Sequence, residues 1–114
     1  RFEAGNVERY LAPDTRKRGI ALEWSHHNMG TWLPANVYRQ KHPEYYAVRN
    51  ALRTDDKATQ LCLCTSNPQV ADEVAANIVR FLEERPWVAV VGVWPNDGYG
   101  MCECDRCTAM DRRL

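Results

Sequence analysis

Two hydrophobic rhythms alternate along this chain, and each predicts a different backbone. In Gly19 to Trp24 the apolar residues recur at every second position, so Ile20, Leu22 and Trp24 share one face of a predicted strand and Ala21, Glu23 and Ser25 the other. Gln60 to Thr65 reads as a second short strand, ending in Ser66-Asn67-Pro68. The spacing then becomes helical. Val70, Val74, Ile78, Phe81 and Leu82 line one face of a helix predicted over Pro68 to Glu84, with Asn67 as its cap, Pro68 in its first turn and Pro86 as its stop. Val88 to Trp94 is almost continuously apolar, the pattern of a central strand covered on both faces, and Pro95-Asn96-Asp97-Gly98 ends it in a turn. A long loop from His26 to about Pro34, a short helix over Asn36 to Lys41 and a last helix opening at Asp105 complete the pattern.

Strand, polar loop and helix in repetition predict parallel strands joined by crossover helices, that is, an α/β fold of consecutive βα units. A closed (β/α)8 TIM barrel needs about 200 residues or more. The 114 residues are therefore expected to form a single segment, 1–114, of an incomplete barrel domain, and a start at Arg1 instead of Met points the same way. The remainder of the barrel would be its first structural partner.

Composition narrows the functional classes. Apolar residues make up 45% of the chain and four are tryptophans, enough for a packed core. Lys plus Arg equals Asp plus Glu at 15 each, so the net positive charge of a nucleic-acid binder is missing. The basic run Arg16-Lys17-Arg18 reads as a solvated turn before the first strand. No apolar run approaches the ~20 residues that span a bilayer.

In a parallel sheet, ligands bind beyond the carboxyl ends of the strands. Those ends carry His26, His27 and Trp32 after the first strand, Ser66 and Asn67 after the second, and Trp94, Asn96 and Asp97 after the third. Aromatic faces with amides, imidazoles and a carboxylate suit a sugar, whose C–H surface stacks while its hydroxyls hydrogen-bond. His26, His27, Trp32, Asn67, Trp94 and Asn96 are the candidate substrate contacts. Asp97 is the candidate acid–base group, because partial desolvation at the end of a buried strand raises a carboxyl pKa toward the working range. Glu23, on the face opposite Trp24, is the candidate second carboxylate inside a barrel lumen. Each has a plainer alternative: Asn-Asp-Gly as an ordinary turn, Glu23 as an ion-pair partner, the histidines as loop structure, and the tryptophans as core.

Five cysteines fall in two groups, Cys62 with Cys64 and Cys102 with Cys104 and Cys107. The C-x-C-x-x-C of the second group offers three thiolates to a structural zinc, with Cys64, Cys62 or a histidine as fourth ligand. A disulfide or packed free thiols are the alternatives. No cofactor is expected for catalysis itself. A non-catalytic, zinc-stabilised or carbohydrate-binding interaction module is the rival functional class.

His42-Pro43-Glu44-Tyr45-Tyr46, Gln60-Leu61-Cys62 leading to Ser66-Asn67-Pro68, and Trp94-Pro95-Asn96-Asp97-Gly98 followed by the cysteine motif resemble the family named domain of unknown function 4838, which is similar to glycoside hydrolase family 163. The resemblance covers nearly the whole chain and departs from the family at Arg49-Asn50-Ala51-Leu52-Arg53, where a glycine-containing turn is common. It implies early to middle βα units of a TIM-barrel glycosidase. It further implies β-N-acetylglucosaminide bonds of N-glycan-like substrates, in secreted, periplasmic or surface-attached bacterial proteins.

Overall fold

The computed structural model describes residues 12–25, 29–49, 52–53, 62–95 and 101–111. The chain opens with helix α1, Ala12–Lys17, and strand β1, Leu22–Trp24. The one-turn helices α2, Met29–Trp32, and α3, Ala35–Tyr38, follow, then a 3-10 turn over Pro43–Tyr45. The short strands β2, Val48–Arg49, and β3, Leu52–Arg53, lead to helix α4, Pro68–Glu84, strand β4, Val88–Val91, and helix α5, Asp105–Asp111.

The expected α/β architecture is present at its centre. β1 and β4 pair in parallel, with Leu22 opposite Val88, Glu23 opposite Val90 and Trp24 opposite Val91, and α4 precedes β4 in the crossover. The helix forms where its sequence places it. Asn67, extended at φ −87° and ψ 113°, accepts the Gln69 amide on its side chain, and Pro68 occupies the first turn, where no N–H is needed. Phe81 of α4 meets Trp24 of β1 at a ring-centroid distance of 5.4 Å and Trp32 of α2 edge-on at 5.3 Å. The Trp24 face of the sheet therefore lies against α4.

Four expectations require correction. Arg16 and Lys17 are not a turn but the last residues of α1, and Arg18 pairs with Asp14 at 3.1 Å. Gly19, at φ +68°, closes that helix: its N–H donates to the Arg16 carbonyl and the Ile20 N–H to the Thr15 carbonyl, a reversal that needs the left-handed region glycine enters without strain. β1 consequently starts three residues later than Gly19.

The predicted strand over Gln60 to Thr65 is reduced, among its described residues, to a single antiparallel bridge between Leu63 and Tyr46. Its hydrogen bonds go to the 3-10 turn: Cys64 N–H donates to Tyr45 O and Ala47 N–H to Cys62 O. It is thus not paired with β1 or β4. The stretch predicted as loop through Pro34 contains α2 and places Trp32 and Leu33 in the interior, with Leu33 fully buried. Finally, β4 is not covered on both faces by the described residues. Val88 is buried but Val90 is 53% exposed and its partner Glu23 is exposed, because α4 packs on the opposite side.

The densest packing lies beside the sheet, where Leu33, Tyr45, Tyr46, Leu63 and Val70 form one buried cluster. Tyr46 donates its hydroxyl to Leu33 O at 3.0 Å, satisfying a polar group that burial would otherwise strand. The same burial pushes its phenol pKa up to about 12. Asn77 of α4 ties the cluster to the helix, donating to Trp32 O at 2.7 Å and to the Tyr38 hydroxyl at 2.9 Å.

Replacing the cap by Asn67→Ala is expected to lower stability by about 1 kcal/mol, read as a lower urea midpoint with unchanged slope. An unchanged midpoint would show that the capping bond contributes nothing.

Candidate metal centre and the carboxyl ends of the strands

The most distinctive side-chain constellation is built by two separate pieces of chain. Cys64 follows the bridge at Leu63 and lies just before α4, while Cys102, Cys104 and Cys107 belong to the approach and first turn of α5. The Sγ atoms of Cys64, Cys102, Cys104 and Cys107 all lie within 4.8 Å of one another. Cys64 Sγ is 3.7 Å from that of Cys104 and 3.9 Å from that of Cys107. All the cysteines are free thiols, so the disulfide reading is corrected.

Backbone amides aim at the sulfurs. The Val48 N–H of β2 donates to Cys102 Sγ at 3.3 Å, and the next amide of the loop, Glu103 N–H, donates to Val48 O at 2.8 Å. Arg49 adds an ion pair with Glu103 at 3.1 Å. β2 is therefore the template on which the cysteine loop is laid, a contribution with no signal in the sequence because the strand is only two residues long. Ser66 is the other addition. Its hydroxyl accepts from Cys107 Sγ at 3.0 Å and stands 3.6 Å from both Cys64 and Cys104. A serine two residues after a candidate cysteine ligand was the available hint.

The surroundings separate three of these thiols electrostatically. Burial holds Cys64 above the ordinary thiol range and pushes Cys102 up to about 12. Cys104 moves the other way, down to about 6, chiefly because the Cys107 backbone N–H bonds its sulfur and stabilises the thiolate. Cys62 lies beside the cluster, its pKa raised by burial, but it is not one of the four. Of the fourth ligands the sequence allowed, Cys64 is the one that the described residues bring to the cluster.

Four converging sulfurs with amide donors form a site that fits a metal ion. It lies between two clefts of about 570 and 580 Å³, the first lined by Cys64 and Cys104 and the second by Cys102 and Cys107, which give an ion a way in.

A second region gathers the strand ends. Gly92 N–H donates to Trp24 O at 2.9 Å, and Met29 N–H to Trp94 O at 3.1 Å. The segments leaving β1 and β4 are thereby tied together at one edge of the sheet. Gly92 is required there, since a Cβ would fall onto Ser25 Oγ and within 2.8 Å of Trp94 Nε1. Trp94 itself is 51% exposed at this edge, and Glu23 is exposed on the face away from α4.

The remaining candidate sugar contacts divide. Trp32 is 5% exposed and packed against Phe81, which fits its core alternative, and Asn67 is buried with its side-chain oxygen in the helix cap. His26, His27, Asn96 and Asp97 lie outside the described residues. Among the described residues, no helix is long and apolar enough to cross a membrane.

The opposite shifts of Cys104 and Cys102 give a chemical order. In metal-free, reduced protein at pH 7, iodoacetamide is expected to alkylate Cys104 before Cys64 and Cys102, as read by peptide mass spectrometry over a time course. Equal rates would contradict the stated hydrogen-bonding environment.

No curated protein and no solved structure matches the chain. The profile of one protein family does match, over residues 3–114, and on that extent the chain belongs to the family described as Domain of unknown function (DUF4838).

Proposed function

We propose that this chain is a βα segment of a TIM-barrel glycoside hydrolase of the kind grouped in family 163, acting on N-acetylglucosamine-containing glycans in a secreted or surface-attached protein, with a structural zinc at the cysteine cluster. The carrying observation is the joined carboxyl edge of β1 and β4, where Met29 N–H meets Trp94 O. Parallel sheets bind ligands at that edge, and the chain segments leading to His26, His27, Asn96 and Asp97 depart from it.

Two further features support the barrel reading. Among the described residues the sheet has a helix on one face only, and the opposite face carries exposed Val90 beside exposed Glu23, as a strand pair would in a larger barrel whose lumen is lined by additional strands. Trp94, 51% exposed, stands at the carboxyl end of the sheet, where an aromatic side chain suits stacking on a pyranose.

In this mechanism Asp97 protonates the leaving glycosidic oxygen or orients the substrate acetamide. Glu23, or a carboxylate from another βα unit, stabilises the oxocarbenium-like transition state or activates water. The zinc takes no part in bond breaking. Held by Cys64, Cys102, Cys104 and Cys107, it would fix the start of α5 to the turn before α4.

The rival reading, a non-catalytic interaction module, draws its support from the cysteine cluster, which would stabilise either kind of domain. Glycan chemistry separates them. Asp97→Asn in the complete protein is expected to reduce release of N-acetylglucosamine from N-glycans by about 100- to 10,000-fold while leaving glycan binding saturable. Undiminished turnover would remove Asp97 from the mechanism, and an absence of both turnover and glycan binding in the unaltered protein would leave the interaction module in its place.

A further inference from the structure

The sulfur spacing is more informative than the count of cysteines. Zinc–thiolate bonds are about 2.3 Å long, and in a regular tetrahedron that length sets neighbouring sulfurs about 3.8 Å apart. The separations of Cys64 from Cys104 and Cys107, 3.7 and 3.9 Å, bracket that value. A disulfide would need its two sulfurs within about 2.1 Å, and a four-iron cluster would need space for its own atoms between the thiolates, whereas all four sulfurs here lie within 4.8 Å of one another. The geometry therefore calls for a single ion.

Four thiolates around a divalent ion leave a net double negative charge in a half-buried place, and such a site depends on donors outside the ligand set. Val48 supplies one from the backbone, to Cys102. Among the described residues one side-chain hydroxyl is shown reaching the cluster, that of Ser66, within 3.6 Å of three of the four sulfurs. Cys64 and Ser66 share the short turn before α4, so the same piece of backbone that presents a ligand also presents its partner.

We propose that Cys64, Cys102, Cys104 and Cys107 bind one Zn2+ and that Ser66 is the positioning residue of that site, its hydroxyl donating to the thiolates and tuning the metal's affinity. This deepens the structural-zinc part of the function proposed above and is independent of glycan hydrolysis. Four Zn–S bonds form as the four thiols give up their protons to solvent, and no oxidation state changes. Ser66 reverses its role in the process: it accepts from the Cys107 thiol in the metal-free arrangement and donates to a thiolate once the protons have gone.

The test uses the full chain, reduced and reconstituted with Zn2+, and needs no enzymatic readout, so its failure is distinct from failure of the glycan reading. Elemental analysis should give one zinc per chain, retained in Cys62→Ser. Competition with a chromophoric chelator should show affinity falling in Cys64→Ser and falling about 10- to 100-fold in Ser66→Ala, with Ser66→Thr restoring most of it. The Co2+-substituted protein should show thiolate-to-metal charge-transfer bands and tetrahedral d–d bands in wild type, and these should persist in Ser66→Ala. Absence of zinc, stoichiometric iron in its place, or wild-type affinity in Cys64→Ser would overturn the metal assignment. Unchanged affinity in Ser66→Ala, or equal loss in Ser66→Thr, would overturn the role of Ser66.

Discussion

The convergence of four thiols at the foot of α4 is the constraint around which the rest of this structure is arranged. Cys64 is fixed by the bridge between Leu63 and Tyr46 and by the capped start of the helix, so it is a stationary point in the fold. Cys102, Cys104 and Cys107 come from the far side of β4 and are brought onto that point by the pairing of Glu103 and Cys102 with Val48. The chain is thus anchored on either side of residues 96–100, before them by the parallel ladder of β4 with β1 and after them by the pairing of Cys102 and Glu103 with Val48. A loop that leaves a strand and returns to a fixed cluster has far fewer conformations than a free one, and catalytic or binding groups benefit from that restriction.

The sequence was most informative where local chemistry and packing agreed. In α4 the cap, the proline and the helical spacing of Val70, Val74, Ile78 and Phe81 all point to one element, and it forms over the expected residues. β4 was legible as a strand with a parallel neighbour because Val88 to Val91 are β-branched or small and follow a helix. Its surroundings were not legible. A continuous apolar run looks the same whether its second face is covered by this segment or awaits something else, and only the exposure of Val90 distinguishes the two.

Other misreadings share a cause: short elements carry little periodicity. Six residues suffice for α1, and its clearest mark, Gly19 in the left-handed region, was available but read as the opening of a strand. Tyr46 and Leu63 pair through one bridge, too little to alternate. The site was legible in part for a similar reason. A C-x-C-x-x-C motif announces three sulfurs, whereas the choice of Cys64 over Cys62 depends on which of them the turn into α4 carries toward α5, a matter of tertiary placement. The Val48 amide acts by position alone and no spacing rule singles it out, whereas Ser66 gave the single hint of standing two residues after Cys64.

The uncovered side of the small sheet carries a cost of its own. Val90 and Val93 are 53% and 42% exposed, Trp94 is 51% exposed, and the two paired strands each have a second edge with no partner among the described residues. Unpaired backbone beside apolar side chains is a template for strand addition by any neighbouring chain. Strand addition at this face is therefore the association route to guard against in the isolated segment, and a charge in place of exposed Val90 would oppose it.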